Sequence, residues 1–411
     1  MRRKKRNIGW MHGVAVAVFV GSVGVLAAFT RTPVDPAKVS TQDGIVERGR
    51  SLVMEHACGG CHGGADPSFD GWLSGWTENS VPGTQDFQIG EFHTYARNLT
   101  PDNTTGLGRF SERQIFNALR YGLRPGETPD VEITSSTPGE GNFPKHPKYL
   151  APPMPWPAWR HMPDEDLWAI AAYLKRGVKP VRNRVPDSEG PPDFWAATVA
   201  DASLGTYPAP PFPTAREAVP PDGVDLDQVI RGRREVVEHA CGDCHGGIAN
   251  PASEEWLVGV VSPDQGFDVG PCGDDPSSPC LRTLPRNLTP DSETGIGSYS
   301  ERQIFNALRY GFSPRHTPDV EITSDTPGEG NFPEHPTYLA VTMPWPYWRH
   351  MSDADLWAIA TYLKYGLKPV SNHVEDSDAP PDAWASAYTV DQIGTYPMPP
   401  FPTQNELGET P

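Results

Sequence analysis

The apolar positions gather into a few short helical stripes, separated by long polar and proline-rich stretches. Ile115, Phe116 and Leu119 share one helical face, and Ser111 with Gln114 forms an S-x-x-Q capping box ahead of them. Gly122 stands where a helix-ending residue belongs, so the pattern predicts a helix over 111–122. Leu167, Ile170, Ala171 and Leu174 line one face of another helix, predicted from about Pro163 to Arg176 and stopped by Gly177. A third is predicted from about Ile45 into the segment before Cys58. No stretch alternates convincingly enough to predict a strand. Residues 8–30 differ from the rest: 23 residues without formal charge follow the basic run Arg2, Arg3, Lys4, Lys5 and Arg6. That length suits a single span of a bilayer core of roughly 30 Å, with the basic end on the cytoplasmic side. Small residues around Ala27 leave removal as a signal segment open. In both cases the chain beyond Arg31 is expected on the far side of the membrane.

The same pattern occurs twice. SERQIFNALRYG at Ser111–Gly122 returns unchanged at Ser300–Gly311, and TPDVEITS, TPGEGNFP and DLWAIA each return at the same offset of 189 residues. GTYPAPPFPT at Gly205–Thr214 returns as GTYPMPPFPT at Gly394–Thr403. A second helix from near Ser352, ending before Gly366, is therefore expected. The organisation read from this is a leader or anchor at 1–30, a first domain at 44–214, a linker at 215–226, a second domain at 227–403 and a tail at 404–411.

Composition narrows the class. Pro (47) and Gly (40) are too abundant among 411 residues for much sheet, while 12 Trp, 15 Phe and 13 Tyr supply enough bulk for a core. The net charge of −18 argues against a nucleic-acid partner and leaves a basic protein partner open.

The six cysteines form three pairs. Cys58-Gly59-Gly60-Cys61-His62 and Cys241-Gly242-Asp243-Cys244-His245 are both C-x-x-C-H. Two thiols on one turn can each add to a haem vinyl group, and the adjacent imidazole then lies under the iron. A redox dithiol needs a βαβ setting and a zinc site needs four converging ligands; neither is present around either motif. Two covalently bound haem c groups are expected, with His62 and His245 as axial ligands. For the opposite axial position the candidates are Met154 and Met343, each in a proline-stiffened M-P-W-P turn before the last helix of its repeat. Met162/Met351, His161/His350 and His146/His335 are the rivals. The third pair, Cys272 and Cys280, has no nearby His and falls in the interval where the second repeat carries six extra residues; a disulfide is expected there, in an oxidising compartment.

These residues resemble class I c-type cytochromes. The resemblance rests on the two C-x-x-C-H motifs, on R-N-L-T-P-D at Arg97–Asp102 and Arg286–Asp291, and on M-P-W-P ahead of D-L-W-A-I-A. Among these, the cytochrome subunits of membrane-bound dehydrogenases are the most similar. The resemblance implies an all-α fold: two tandem cytochrome c-like helical domains with long loops, behind one N-terminal transmembrane or signal helix. It implies that Gly49 and Gly232 let the first helix of each domain approach Tyr173 and Tyr362 on the last. It also implies that Arg97 and Arg286 lie by the haem propionates; a capped turn ahead of the next helix is the competing role. The chain departs from such subunits in offering two haem sites where three are common. The expected function is electron transfer between a periplasmic or membrane-bound donor and a respiratory acceptor, without catalysis of its own. The expected location is the periplasmic face of a bacterial inner membrane, held through the N-terminal segment. A dihaem peroxidase or a ligand sensor would require one haem with an open axial position.

Overall fold

The computed structural model describes residues 42–80, 85–89, 92–188, 199, 204–262, 265–269, 281–376, 384–385 and 388–408. The stretch at 8–30 and the pair Cys272/Cys280 lie outside the described residues. Within them, no helix is long and apolar enough to cross a membrane.

Each repeat is built around a helix crossing. In the first, α1 (Gln42–Glu55) runs into the short α2 (Cys58–His62), α3 (Glu112–Tyr121) follows after long loops, and α4 (Trp156–Trp159) leads into α5 (Asp164–Ala172). The second repeat presents α6 (Leu226–Glu238), α7 (Cys241–His245), α8 (Glu301–Tyr310), α9 (Trp345–Trp348), α10 (Asp353–Thr361) and a short α11 (Val390–Ile393). The capping box forms at both Ser111 and Ser300, and Gly122 (φ 67°) and Gly311 (φ 72°) take the left-handed conformation that ends each helix. α5 and α10 each run on into a wider π turn, at Tyr173–Gly177 and Tyr362–Gly366.

α1 crosses α5 at Gly49 and α6 crosses α10 at Gly232. A Cβ on Gly49 would lie 1.9 Å from the carbonyl oxygen of Ala169 and 2.8 Å from Tyr173 Cβ; on Gly232 it would lie 1.8 Å from that of Ala358. Only glycine permits this approach. Val53, Met54, Leu73, Leu167, Ile170 and Tyr173 make the buried centre of the first repeat, and Val236, Leu257, Leu356, Ile359 and Tyr362 that of the second.

The all-α expectation is corrected. Helices take up only 33% of the described residues. Among the described residues there are two antiparallel strand pairs: β1 (Asp86–Ile89) pairs with β2 (Phe92–Tyr95), with Phe87 opposite Thr94, and β3 (Phe267–Val269) pairs with β4 (Leu281–Thr283), with Phe267 opposite Thr283. Strands of three or four residues are too short for alternation to register in a sequence pattern, and the long loops hold extended backbone that is neither helix nor sheet. The expected N-terminal membrane helix likewise has no support among the described residues.

The segments that follow each repeat cross over. Glu217, following the first repeat in the chain, accepts from Arg233 Nε (2.6 Å) and from Tyr362 Oη (2.7 Å) inside the second. Glu406, following the second, accepts from Arg50 Nε (2.6 Å) and Tyr173 Oη (2.6 Å) inside the first. Trp72 Nε1 and Trp256 Nε1 complete the two networks by donating to the same tyrosine oxygens. Each repeat is thus closed by a strap belonging to the other. Charged groups this deeply buried are tolerated because each has its partners.

Candidate functional site

α2 places Cys58, Cys61 and His62 on a single turn, entered through Ala57 in the left-handed conformation (φ 57°). α7 repeats the arrangement through Ala240 (φ 56°). His62 Nδ1 donates to the backbone carbonyl of Arg97 at 2.6 Å, and His245 Nδ1 to that of Arg286 at 2.7 Å. A proton fixed on Nδ1 leaves Nε2 with its lone pair free, which is the tautomer a metal ligand needs. Burial holds the His62 imidazole down to about 4, against a smaller opposing pull from that carbonyl, and lowers His245 in the same sense.

The first motif opens onto a cavity of about 1250 Å³. Cys58, Cys61, His62 and Met154 all line it, with Leu107, Ile115, Leu119, Trp159, Ile170 and Leu174 among its apolar walls. Such a volume accommodates a flat macrocycle, and the imidazole, thiol pair and thioether in one enclosure are the donor set for a covalently attached haem. The thiols are unsuited to work as a redox dithiol. Burial pushes Cys58 up to about 12 and Cys61 up to about 11, whereas a reactive C-x-x-C pair is acidified.

The rival ligands lie elsewhere. Met162 and Met351 are 1% and 2% exposed and pack inside the two apolar cores, where the thioether acts as filler. His146 and His335 are exposed. His161 and His350 stand edge-on or tilted against Tyr207 and Tyr396, at 5.4 Å in both cases. Met343 packs against the core of its repeat in the manner of Met154. Arg97 lines the cavity, but its guanidinium donates to the carbonyl oxygens of Val185 and Pro186 and pairs with the exposed Asp187. Arg286 does the same with the carbonyl of Val374 and with Asp376.

Several contributors were not singled out in the sequence. The role of position 97 at the imidazole is carried by its backbone oxygen, which any residue supplies. His56 lines the first cavity and stacks on His239 of the second repeat, with ring centroids 4.3 Å apart and planes 16° apart. The repeated H-A-C spelling at both motifs was the available signal. Tyr347 of α9 lies over α2: a Cβ on Gly60 would be 2.6 Å from its hydroxyl oxygen. Its counterpart in the first repeat is Ala158, so this contact exists in one direction only. Arg109, Arg124, Arg182 and Arg184 also line the cavity. A position-by-position comparison of the repeats would have picked them out.

No family model matches the chain. It is 28% identical over 351 residues to the gluconate 2-dehydrogenase cytochrome c subunit of Pantoea cypripedii, covering 82% of this chain and 63% of that subunit. It is 27% identical over 340 residues to the fructose dehydrogenase cytochrome subunit of Gluconobacter japonicus, covering 81% and 54%. To the cytochrome c subunit of alcohol dehydrogenase (quinone) from Gluconacetobacter polyoxogenes it is 28% identical over 277 residues, covering 67% and 48%. The chain thus spans between about half and two thirds of the length of these relatives. All three are cytochrome subunits of dehydrogenases, which is consistent with an electron-transfer role.

Proposed function

We propose that this chain is a dihaem c-type cytochrome that relays electrons from a dehydrogenase to a respiratory acceptor, outside the cytoplasm. One haem is joined to Cys58 and Cys61 and the other to Cys241 and Cys244. His62 and Met154 bind the first iron, and His245 and Met343 the second. The observation that carries the reading is the meeting of Cys58, Cys61, His62 and Met154 in one largely apolar cavity. Bound haem supplies a one-electron iron couple, which sulfur ligation shifts toward the reduced form. The chain does the rest. The carbonyl groups of Arg97 and Arg286 orient the imidazoles, the apolar walls keep water away, and the proline-flanked turns present the thioethers. With both axial positions filled by protein, an iron exchanges electrons and has no place for substrate. The likeness to dehydrogenase cytochrome subunits supports a place in such a complex, next to a subunit that oxidises the substrate.

The test is the mass and spectrum of the mature chain made with haem-attachment machinery. Its mass should exceed that of the polypeptide by two haem groups. Replacing Cys58 and Cys61 by Ala should remove one of them, and replacing Cys241 and Cys244 the other. The ferric protein should show the long-wavelength charge-transfer band of sulfur-ligated haem, which Met154→Ala and Met343→Ala should each diminish. A chain that carries no haem would sink the reading. Haem without that band, together with peroxide turnover, would replace it by an enzyme with an open iron.

A further inference from the structure

The two haem sites are nearly identical in their ligand motifs but not in their charge. The wall of the first cavity carries five arginines and two carboxylates. The repeat-equivalent positions of the second site carry two arginines and three carboxylates. Arg97 is matched by Arg286, but Ser298, Ser313 and Ser371 stand in place of Arg109, Arg124 and Arg182, and His373 in place of Arg184. Glu293 and Glu375 replace the uncharged Thr104 and Pro186 of the first site. The only charge change in the opposite sense is at neighbouring positions 126 and 127, where Gly126 and Glu127 correspond to Arg315 and His316. Arg315 stands 3.5 Å from the carboxylate of Asp376.

Of the four unmatched arginines, Arg182 acts at a distance on the exposed Asp102, helping the hydrogen bonds from Thr105 to hold its carboxyl below the usual range. Among the described residues none of them is bridged to a carboxylate; Arg109 lies over the Phe110 ring at 4.8 Å. Arg109, Arg182 and Arg184 are exposed and Arg124 half-buried, so they form a cationic mouth on an otherwise acidic chain.

Resting on the haem reading above, we infer that this arginine mouth makes the N-terminal haem the higher-potential one, so that electrons run from the C-terminal site to the N-terminal site. An oxidised haem iron carries one more positive charge than a reduced one, and nearby cations therefore favour reduction. The step moves one electron: the iron of the second site is oxidised and that of the first is reduced, with no proton or atom transferred. The arginines are positioning residues for charge and act through space. Their exposure means that solvent and salt weaken each contribution. Weakened by solvent in this way, four such charges together bias the interhaem equilibrium on the order of tenfold.

The experiment is a potentiometric titration of the purified holoprotein, with haem content measured first. Absence of haem overturns the function proposed above; the inference here is decided on protein that carries both groups. Two midpoints are expected. Exchanging the mouth (Arg109→Ser, Arg124→Ser, Arg182→Ser and Arg184→His together) should lower the upper midpoint towards the lower, leave the lower in place, and reduce the interhaem equilibrium constant roughly tenfold. The reverse exchange, Ser298→Arg, Ser313→Arg and Ser371→Arg, is an independent variant and should raise the lower midpoint. The gap in the parent should narrow as ionic strength rises. If the first exchange shifts the lower midpoint instead, or if neither exchange shifts either midpoint, the inference is overturned.

Discussion

Gly49 shows how much one missing side chain decides. Its backbone rests against Ala169 so closely that a methyl group would sit 1.9 Å from the carbonyl oxygen. Gly49→Ala should destabilise the first repeat by about 2 kcal/mol or more, even after the gain in helix propensity, as read by thermal unfolding. The His56–His239 stack is the second case. Burial lowers both imidazoles, His239 to about 4, while in the unfolded chain each titrates near about 6.5. Across that interval the unfolded chain binds more protons than the folded one. The histidines' contribution is therefore complete above about pH 6.5 and is lost as the pH falls towards 4. Glu235, raised to about 7 by burial and by Asp355, acts in the other direction, because the folded state takes up its proton first. Replacing both histidines by Gln removes only the first effect. The melting temperature of that variant relative to the parent should rise as the pH is lowered from 6.5 to 4. A difference that stays constant with pH would show that these rings do not titrate on unfolding. The grouping of Cys58, Cys61 and His62 on one turn could be read from spacing alone, because C-x-x-C-H is a fixed local spelling. The stack could not, since what brings the two rings together is an interface between repeats.

At the level of elements, legibility followed length and punctuation. The helix expected at 111–122 is present as Glu112–Tyr121 between its Ser111 cap and Gly122, because local hydrogen bonds written into the sequence define both ends. Ser111→Ala should cost about 1 kcal/mol, and Ser300→Ala about the same, since the two boxes are alike. Chemical unfolding of the two variants would check this; an effect at one position only would mean that the caps contribute unequally. The last helix of each repeat was expected to end at Gly177 and before Gly366. It does so by widening into a π turn, a change in hydrogen bonding that leaves no trace in side-chain periodicity. The strand pairs escaped notice for another reason. Phe87 and Phe92 sit in strands of four residues, whose pairing comes from backbone atoms and whose burial depends on neighbouring loops.

At the level of the whole molecule, the repeats are joined by more than a linker. Thr403 Oγ1 donates to the carbonyl of Pro67, Thr395 N donates to Asp66, and Glu406 is 1% exposed between Arg50 and Tyr173. Glu406→Gln would leave Arg50 buried beside a neutral amide and should cost about 3 kcal/mol. Deleting residues 398–411 should have a less intuitive result. The loss should fall on the distant first repeat, seen as faster amide exchange in α1 and α5, while α6 and α10 of the adjacent repeat stay protected. Equal loss in both repeats would contradict the crossed arrangement. The repetition itself was plain in the sequence, down to GTYPxPPFPT, but nothing in that spelling says which copy each strap will close. There is a consequence for how the molecule is made. Arg50 and Glu406 meet across 356 residues. A ribosome therefore produces the tyrosine and arginine of the first half long before the carboxylate that seals them exists. The portion synthesised earliest is the portion finished last, and it must wait half-open while its twin is still being translated.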